Sequence, residues 1–140
     1  MTWVVDASVA LKWSLPEEDS DLARELLRKT LIAPDWWLVE AGNGLWKSVG
    51  RREISAAEAV VLLADLNDVP VTSVDARTIL GPAVMLGCEL NHPVYDCLYL
   101  ALAVERDIGL VTADSRFIRA LSNHPDLARR VVSLASGDWR

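Results

Sequence analysis

Short runs of apolar residues alternate along this chain with longer segments of helical period. Trp3-Val4-Val5 is a β-prone run that stops at Asp6, and residues 8–13 fit one or two helical turns closed by Pro16. Residues 17–29 form a charged helical segment with Leu22, Leu26 and Leu27 as its apolar stripe. Leu31-Ile32-Ala33 is a second strand closed by Pro34. Residues 35–51 then place Leu38, Ala41, Leu45 and Val49 along one helix face. Ser55 with Glu58 has the spacing of a capping box, opening a helix to about residue 67 through Val60, Leu63 and Leu66. Residues 69–74 predict a third strand, and 75–89 a helix interrupted or bent near Gly81-Pro82. Pro93 falls in the first turn of a strongly apolar helix running to about residue 106. A strand at 109–112, a short helix at 115–121 and a last strand at 130–134 complete the pattern.

Strands separated by helices imply parallel pairing through right-handed crossovers. The expected fold is therefore α/β, a three-layer α/β/α sandwich with a central parallel sheet. With 140 residues, no repeat and no linker, one domain spanning 1–140 is expected. In open sheets of this kind the site lies at the carboxyl ends of the strands, at a switch in strand order. Asp6 directly follows the first strand, and Asp114 lies two residues beyond Thr112 at the end of the fourth.

Composition narrows the function. The net charge is −6, whereas proteins that simply coat nucleic acid are usually basic. An acid cluster that holds cations is compatible with that charge, because the bound metal supplies the positive field. An acidic surface also suits a basic protein partner. No apolar run is long enough to cross a bilayer, and the first residues carry no signal-peptide pattern, so a cytoplasmic protein with no membrane contact is expected. Cys88 and Cys97 sit in apolar helical stretches and read as two buried thiols. Those cysteines and the scattered His92 and His124 show no metal-ligand spacing.

An Asp at a strand end is commonly a helix cap, and for Asp6 or Asp114 alone that reading ranks first. Two further acids are harder to explain that way. Glu40 lies between apolar neighbours inside a helix, where a buried Glu is rare without a partner. Asp96 sits near the start of the most apolar helix; the helix dipole tolerates it there without explaining it. Converging carboxylates stay ionised together only when cations hold them. Oxygen ligands suit Mg²⁺ or Mn²⁺, and such ions support phosphodiester hydrolysis. Lys12, one helical turn beyond Asp6, is a candidate phosphate contact. For Lys47, Arg51 and Arg52, favourable interaction with a helix C-terminus ranks above RNA contact. Most of the six tryptophans read as core, with Trp13, Trp36, Trp37 and Trp46 also candidates for a partner groove.

The segment Val4-Val5-Asp6-Ala7-Ser8-Val9-Ala10-Leu11-Lys12-Trp13 with Pro16-Glu17-Glu18 resembles the opening of VapC-type PIN-domain toxins. Pro34 with Glu40 and Asn43, then Tyr95-Asp96 with Tyr99-Leu100-Ala101-Leu102-Ala103, then Val111-Thr112-Ala113-Asp114-Ser115-Arg116-Phe117 resemble the later motifs in the same order. The resemblance implies a PIN-like fold and a metal-dependent endoribonuclease. In it, Asp6, Glu40, Asp96 and Asp114 hold one or two Mg²⁺ or Mn²⁺ ions and activate a water. Ser8 and Thr112 assist at that shell, Asn43 hydrogen-bonds within the acidic pocket, and Arg116 contacts phosphate. It further implies an RNA substrate, a cognate antitoxin and a homodimer. Gly42 and Gly44 depart from the motif, since each costs about 1 kcal/mol against Ala inside a helix. The competing readings are an RNA-processing PIN nuclease, a PIN-like module retained for protein binding, and an α/β domain with an aspartyl nucleophile. The last leaves Glu40 and Asp96 without a role.

Overall fold

The computed structural model describes residues 1–140. Five strands form one all-parallel sheet: β1 (Thr2–Val5), β2 (Thr30–Pro34), β3 (Val71–Val74), β4 (Gly109–Thr112) and β5 (Val131–Ser133), in the order β3-β2-β1-β4-β5. Eight helices connect them: α1 (Ala7–Ser14), α2 (Ser20–Leu26), α3 (Trp37–Gly50), α4 (Ala56–Asn67), α5 (Leu80–Leu90), α6 (Val94–Arg106), α7 (Ser115–Ala120) and α8 (Pro125–Ala128). Right-handed crossovers put α1 to α4 on one face and α5 to α8 on the other. Consistent with this, α1 packs on α2, α3 and α4, while α6 crosses β1, β2 and β4 with α5 against it. The expected sandwich is thus the observed one.

The chain moves one way from β1 to β3 and the other way from β4 to β5, so the order reverses between β1 and β4. Asp6 and Asp114 follow those two strands. The central strands are buried on both sides, and Val4, Val5, Leu110 and Val111 are among the least exposed residues. Trp3 pairs with Gly109 across β1 and β4, and its ring lies where any Cβ on Gly109 would be, 2.1 Å from the nearest ring carbon. Glycine is required there by close approach. No helix is long and apolar enough to cross a membrane.

Several boundaries differ from expectation. The segment at 17–29 is helical only over Ser20–Leu26, because Ser20 closes a turn first: its hydroxyl accepts from Glu17 N–H and donates to Leu15 O. In α4 only Leu66 of the expected stripe is buried, and Val60 is 69% exposed. α4 packs on α1 and α3 rather than on the sheet, so a narrower face is covered. Its capping box, Ser55 with Glu58, is present as expected. The expected break near Gly81-Pro82 is an interruption and not a bend: a short 3-10 turn (Ala76–Thr78) precedes α5, so Pro82 falls in the first turn of α5, where no intrahelical N–H donor is needed. Pro93 caps α6 rather than lying within it. Pro70 carries no N–H to donate, and β3 starts after it, at Val71. Cys88 is exposed on α5, so only Cys97 is the buried thiol that was expected of both. The helix α8 and the seating of Trp139, whose indole N–H donates to Leu134 O, were not read from the sequence.

Candidate active site

Asp6 caps α1, accepting from Val9 N–H at 3.3 Å, and is buried at the carboxyl end of β1. Its carboxylate also accepts from the Ser8 and Thr112 hydroxyls. Thr112 is fully buried at the end of β4, and its oxygen accepts from Asp114 N–H, which directs its own proton to Asp6. Ser8 in turn accepts from Ala113 N–H at 3.0 Å. Together these bonds tie the ends of β1 and β4 across the switch point. Asp114 caps α7, accepting from Arg116 N–H at 2.9 Å and Phe117 N–H at 3.4 Å. The cap reading of both strand-end acids is therefore true, and it coexists with their placement at the site.

Glu40 and Asp96 come from the helices. The phenol of Tyr99, one turn beyond Asp96 on α6, donates to Glu40 Oε1 at 2.8 Å. His92, just ahead of α6, bonds through Nε2 to Asp96 Oδ2 at 2.6 Å, with its ring tilted on Phe117. Asp6, Glu40, Asp96 and Asp114 all line one cleft of about 290 Å³, with Ser8 and Asn43 also in its wall. Asn43 makes no hydrogen bond to the acids. Of the predicted cations, Lys12 is not among the lining side chains, its Nζ donating to Glu18 O at 2.7 Å, and Arg116 is exposed outside the cleft. Lys47 and Arg51 line the cleft instead. Arg51 also pairs with Glu53.

Sequence reasoning missed His92 and Tyr99 as site neighbours, and for Lys47 and Arg51 it ranked RNA contact below interaction with a helix C-terminus. The signals were present: His92 stands four residues before Asp96, Tyr99 three after it, and Lys47 and Arg51 seven and eleven residues after Glu40. For Tyr99, Lys47 and Arg51 the spacing returns to the same helix face. Gly44, unusual for the motif, has a steric reason. A Cβ there would come within 2.4 Å of Leu11 Cδ1, so glycine lets α1 and α3 approach closely. Gly42 has no such constraint, its nearest neighbour being Leu63 at 3.8 Å.

The acids are electrostatically loaded. Burial pushes the Asp6 carboxyl up from 3.8 to about 6, against the hydrogen bonds that favour its ionised form, and Asp96 adds to the rise. Burial likewise pushes Glu40 up from 4.5 to about 7, with the charges of Asp96 and Asp6 contributing. Burial and the Glu40 charge push the Tyr99 phenol up, so it stays a proton donor to Glu40. Burial pushes the Cys97 thiol up to about 11, which keeps it protonated. No three His, Cys, Asp or Glu side chains already form a closed ligand cluster. The donors lining the cleft are carboxylate oxygens, which fit a hard divalent cation rather than a soft one.

An all-parallel α/β/α sheet with acids gathered at its switch point defines the class of protein. Residues 3–121 match the PIN domain family, and the chain belongs to that family. Among curated proteins it is similar to ribonuclease VapC12 of Mycobacterium tuberculosis, in strains CDC 1551 / Oshkosh and ATCC 25618 / H37Rv. Identity is 29% over 127 residues, covering 89% of this chain and 95% of the relative. Among solved structures it resembles PAE2754 from Pyrobaculum aerophilum. The TM-score is 0.69, with 22% identity, over 97% of this chain and 94% of the other. That likeness shows the shared fold.

Proposed function

We propose that this chain is a single PIN domain acting as a divalent-cation-dependent endoribonuclease, the toxin of a toxin–antitoxin pair. The observation that carries the reading is the convergence of Asp6, Glu40, Asp96 and Asp114 from β1, α3, α6 and β4 into one cleft. These four would hold Mg²⁺ or Mn²⁺, which supplies an acidified water and charge stabilisation for phosphodiester hydrolysis. The chain's own groups prepare the site. Ser8 and Thr112 fix the Asp6 carboxylate, Tyr99 fixes Glu40, and His92 fixes Asp96. Lys47 and Arg51 offer positive charge to RNA phosphates from the same cleft wall. Because burial raises Asp6 to about 6 and Glu40 to about 7, a bound cation would favour the ionised form of both carboxyls.

The toxin assignment is supported by similarity to VapC12 along nearly the whole of both chains. It is also supported by an apolar groove between α3 and α4, lined by Leu45, Trp46, Val60 and Leu63, which suits a helical antitoxin segment. Leu80, Val84 and Met85 form an exposed apolar stripe on α5 that suits a homodimer in the cytoplasm. The test is cleavage of a cellular RNA pool by the purified protein, with Mg²⁺ or Mn²⁺, with EDTA, and with Asp96→Asn. Cutting that needs the metal and vanishes in the variant supports the assignment. Full activity of Asp96→Asn, or cutting unaffected by EDTA, would overturn it. Growth arrest relieved by a gene product encoded beside this one distinguishes a toxin from an RNA-processing nuclease.

A further inference from the structure

A second cleft, of about 510 Å³, adjoins the first and shares Glu40, Asn43 and Asp96 with it. Its remaining wall is Trp36, Val39, Pro93 and Tyr95. Trp36 and Tyr95 are nearly parallel, 13° between planes with ring centroids 6.4 Å apart. They are 39% and 58% exposed. A large aromatic pair left open to water at helix starts, rather than folded into the core, presents flat π surface at the rim of an acidic site. Neither ring is needed to fill the interior, which Trp37, Tyr99 and Trp139 already occupy.

Position gives this surface its meaning. Tyr95 is the residue before Asp96, and Trp36 stands one helical turn before Glu40. Helix α3 then continues the line: Trp36, Glu40, Asn43, Lys47 and Arg51 recur at spacings of four, three, four and four residues, which is one helix face. At 1.5 Å per residue that face is about 22 Å long. It runs from an aromatic platform, across the acids, to two cations. A single RNA strand has matching chemistry, with bases that stack on aromatic faces and phosphates that seek Lys and Arg. We propose that Trp36 and Tyr95 form a stacking subsite for one unpaired nucleobase beside the attacked phosphate, with Lys47 and Arg51 holding the backbone on the other side. This deepens the ribonuclease reading and rests on it for the position of the phosphate. It requires the substrate to be unstacked where it is cut, because a paired base cannot offer its face to the platform.

The probe is a ten-nucleotide mixed-sequence RNA with 2-aminopurine placed at successive positions. It is titrated into full-length protein carrying Asp114→Asn to stop cleavage, in Mg²⁺, beside versions that add Trp36→Ala, Tyr95→Ala or Trp36→Phe. Both rings are exposed, so their removal leaves the core intact, and far-ultraviolet circular dichroism with thermal melting checks this. The expected result is quenching at one probe position. That quenching should be lost with about tenfold weaker binding in either alanine variant, and restored in Trp36→Phe. A parallel assay on the unmutated catalytic background asks whether an abasic residue at that position slows cleavage of the same RNA. It should slow the wild type about tenfold and the Trp36→Ala protein not further. Unchanged quenching and affinity in both alanine variants overturn the subsite, as does loss of a co-expressed protein partner with RNA binding intact. The two readings fail separately. RNA cut equally well by the alanine variants removes the subsite and leaves the nuclease. Trp36-dependent quenching by a protein that cuts no RNA leaves the subsite and removes the nuclease.

Discussion

Replacing Asp6 with Asn isolates the electrostatic load at the switch point. A carboxyl moved from 3.8 to about 6 is worth about 3 kcal/mol between its two protonation states. The sign follows from which form the fold disfavours. Burial raises the pKa, so between about pH 4 and pH 6 the folded protein binds a proton that the unfolded chain has released. Stability is fully present below about pH 4 and falls as pH rises through the folded value, then levels off. The amide of the Asp6→Asn variant has nothing to ionise. It would weaken the bonds from Ser8 and Thr112, but that cost does not depend on pH and enters as a constant offset. In EDTA, the stability of Asp6→Asn relative to wild type should therefore climb by about 3 kcal/mol from pH 4 to pH 7. For a chain of this size that is roughly 6–12 °C in Tm. The assay is urea unfolding at pH 4, 5, 6, 7 and 8, read by tryptophan fluorescence. Mg²⁺ at pH 8 should recover much of the loss in wild type by binding only the folded state, and little in the variant. A pH-independent difference between the two proteins, or one of opposite slope, would refute the burial of an ionisable Asp6 at the end of β1.

Three other outcomes follow from the same geometry. Tyr99→Phe keeps the buried ring but removes the donor to Glu40; with Glu40 already raised to about 7, the acid limb of cation-dependent cleavage should move to higher pH, and an unmoved limb would count against that contact. Gly42→Ala should stabilise the protein by about 0.5–1 kcal/mol through helix propensity, whereas Gly44→Ala should give no such gain because its Cβ would displace Leu11; equal thermal shifts for the two would contradict the close approach of α1 and α3. Gly109→Ala should cost about 1–3 kcal/mol by overpacking against the Trp3 ring, measured by denaturant midpoint at constant slope.

The order of the five strands, the parallel sheet and most of the helices were legible along the chain. Local pattern carries them: short apolar runs must be buried on both sides, and helical stripes must face something. The capping box of Ser55 and Glu58 and the strand-end positions of Asp6 and Asp114 are local in the same sense. Boundaries were less legible where a side chain closes a turn ahead of a helix, as Ser20 does. Burial of Val60 was misjudged because a stripe states which face is apolar and not how much of it a neighbour covers.

What tertiary structure alone decided is which distant groups meet. Tyr99 reaches Glu40 across 59 residues and Thr112 reaches Asp6 across 106, and no spacing along the chain encodes either pairing. The choice among cations has the same origin. Lys12 is close to Asp6 in sequence but is drawn to the carbonyl of Glu18, while Lys47 and Arg51 are carried into the cleft by the axis of α3. The platform of Trp36 and Tyr95 exists because two helix starts, from different crossovers, arrive at one edge of the sheet. Sequence determines the residues and the local conformations that position them; the strand order and the packing of the crossovers determine which of those residues share a cleft.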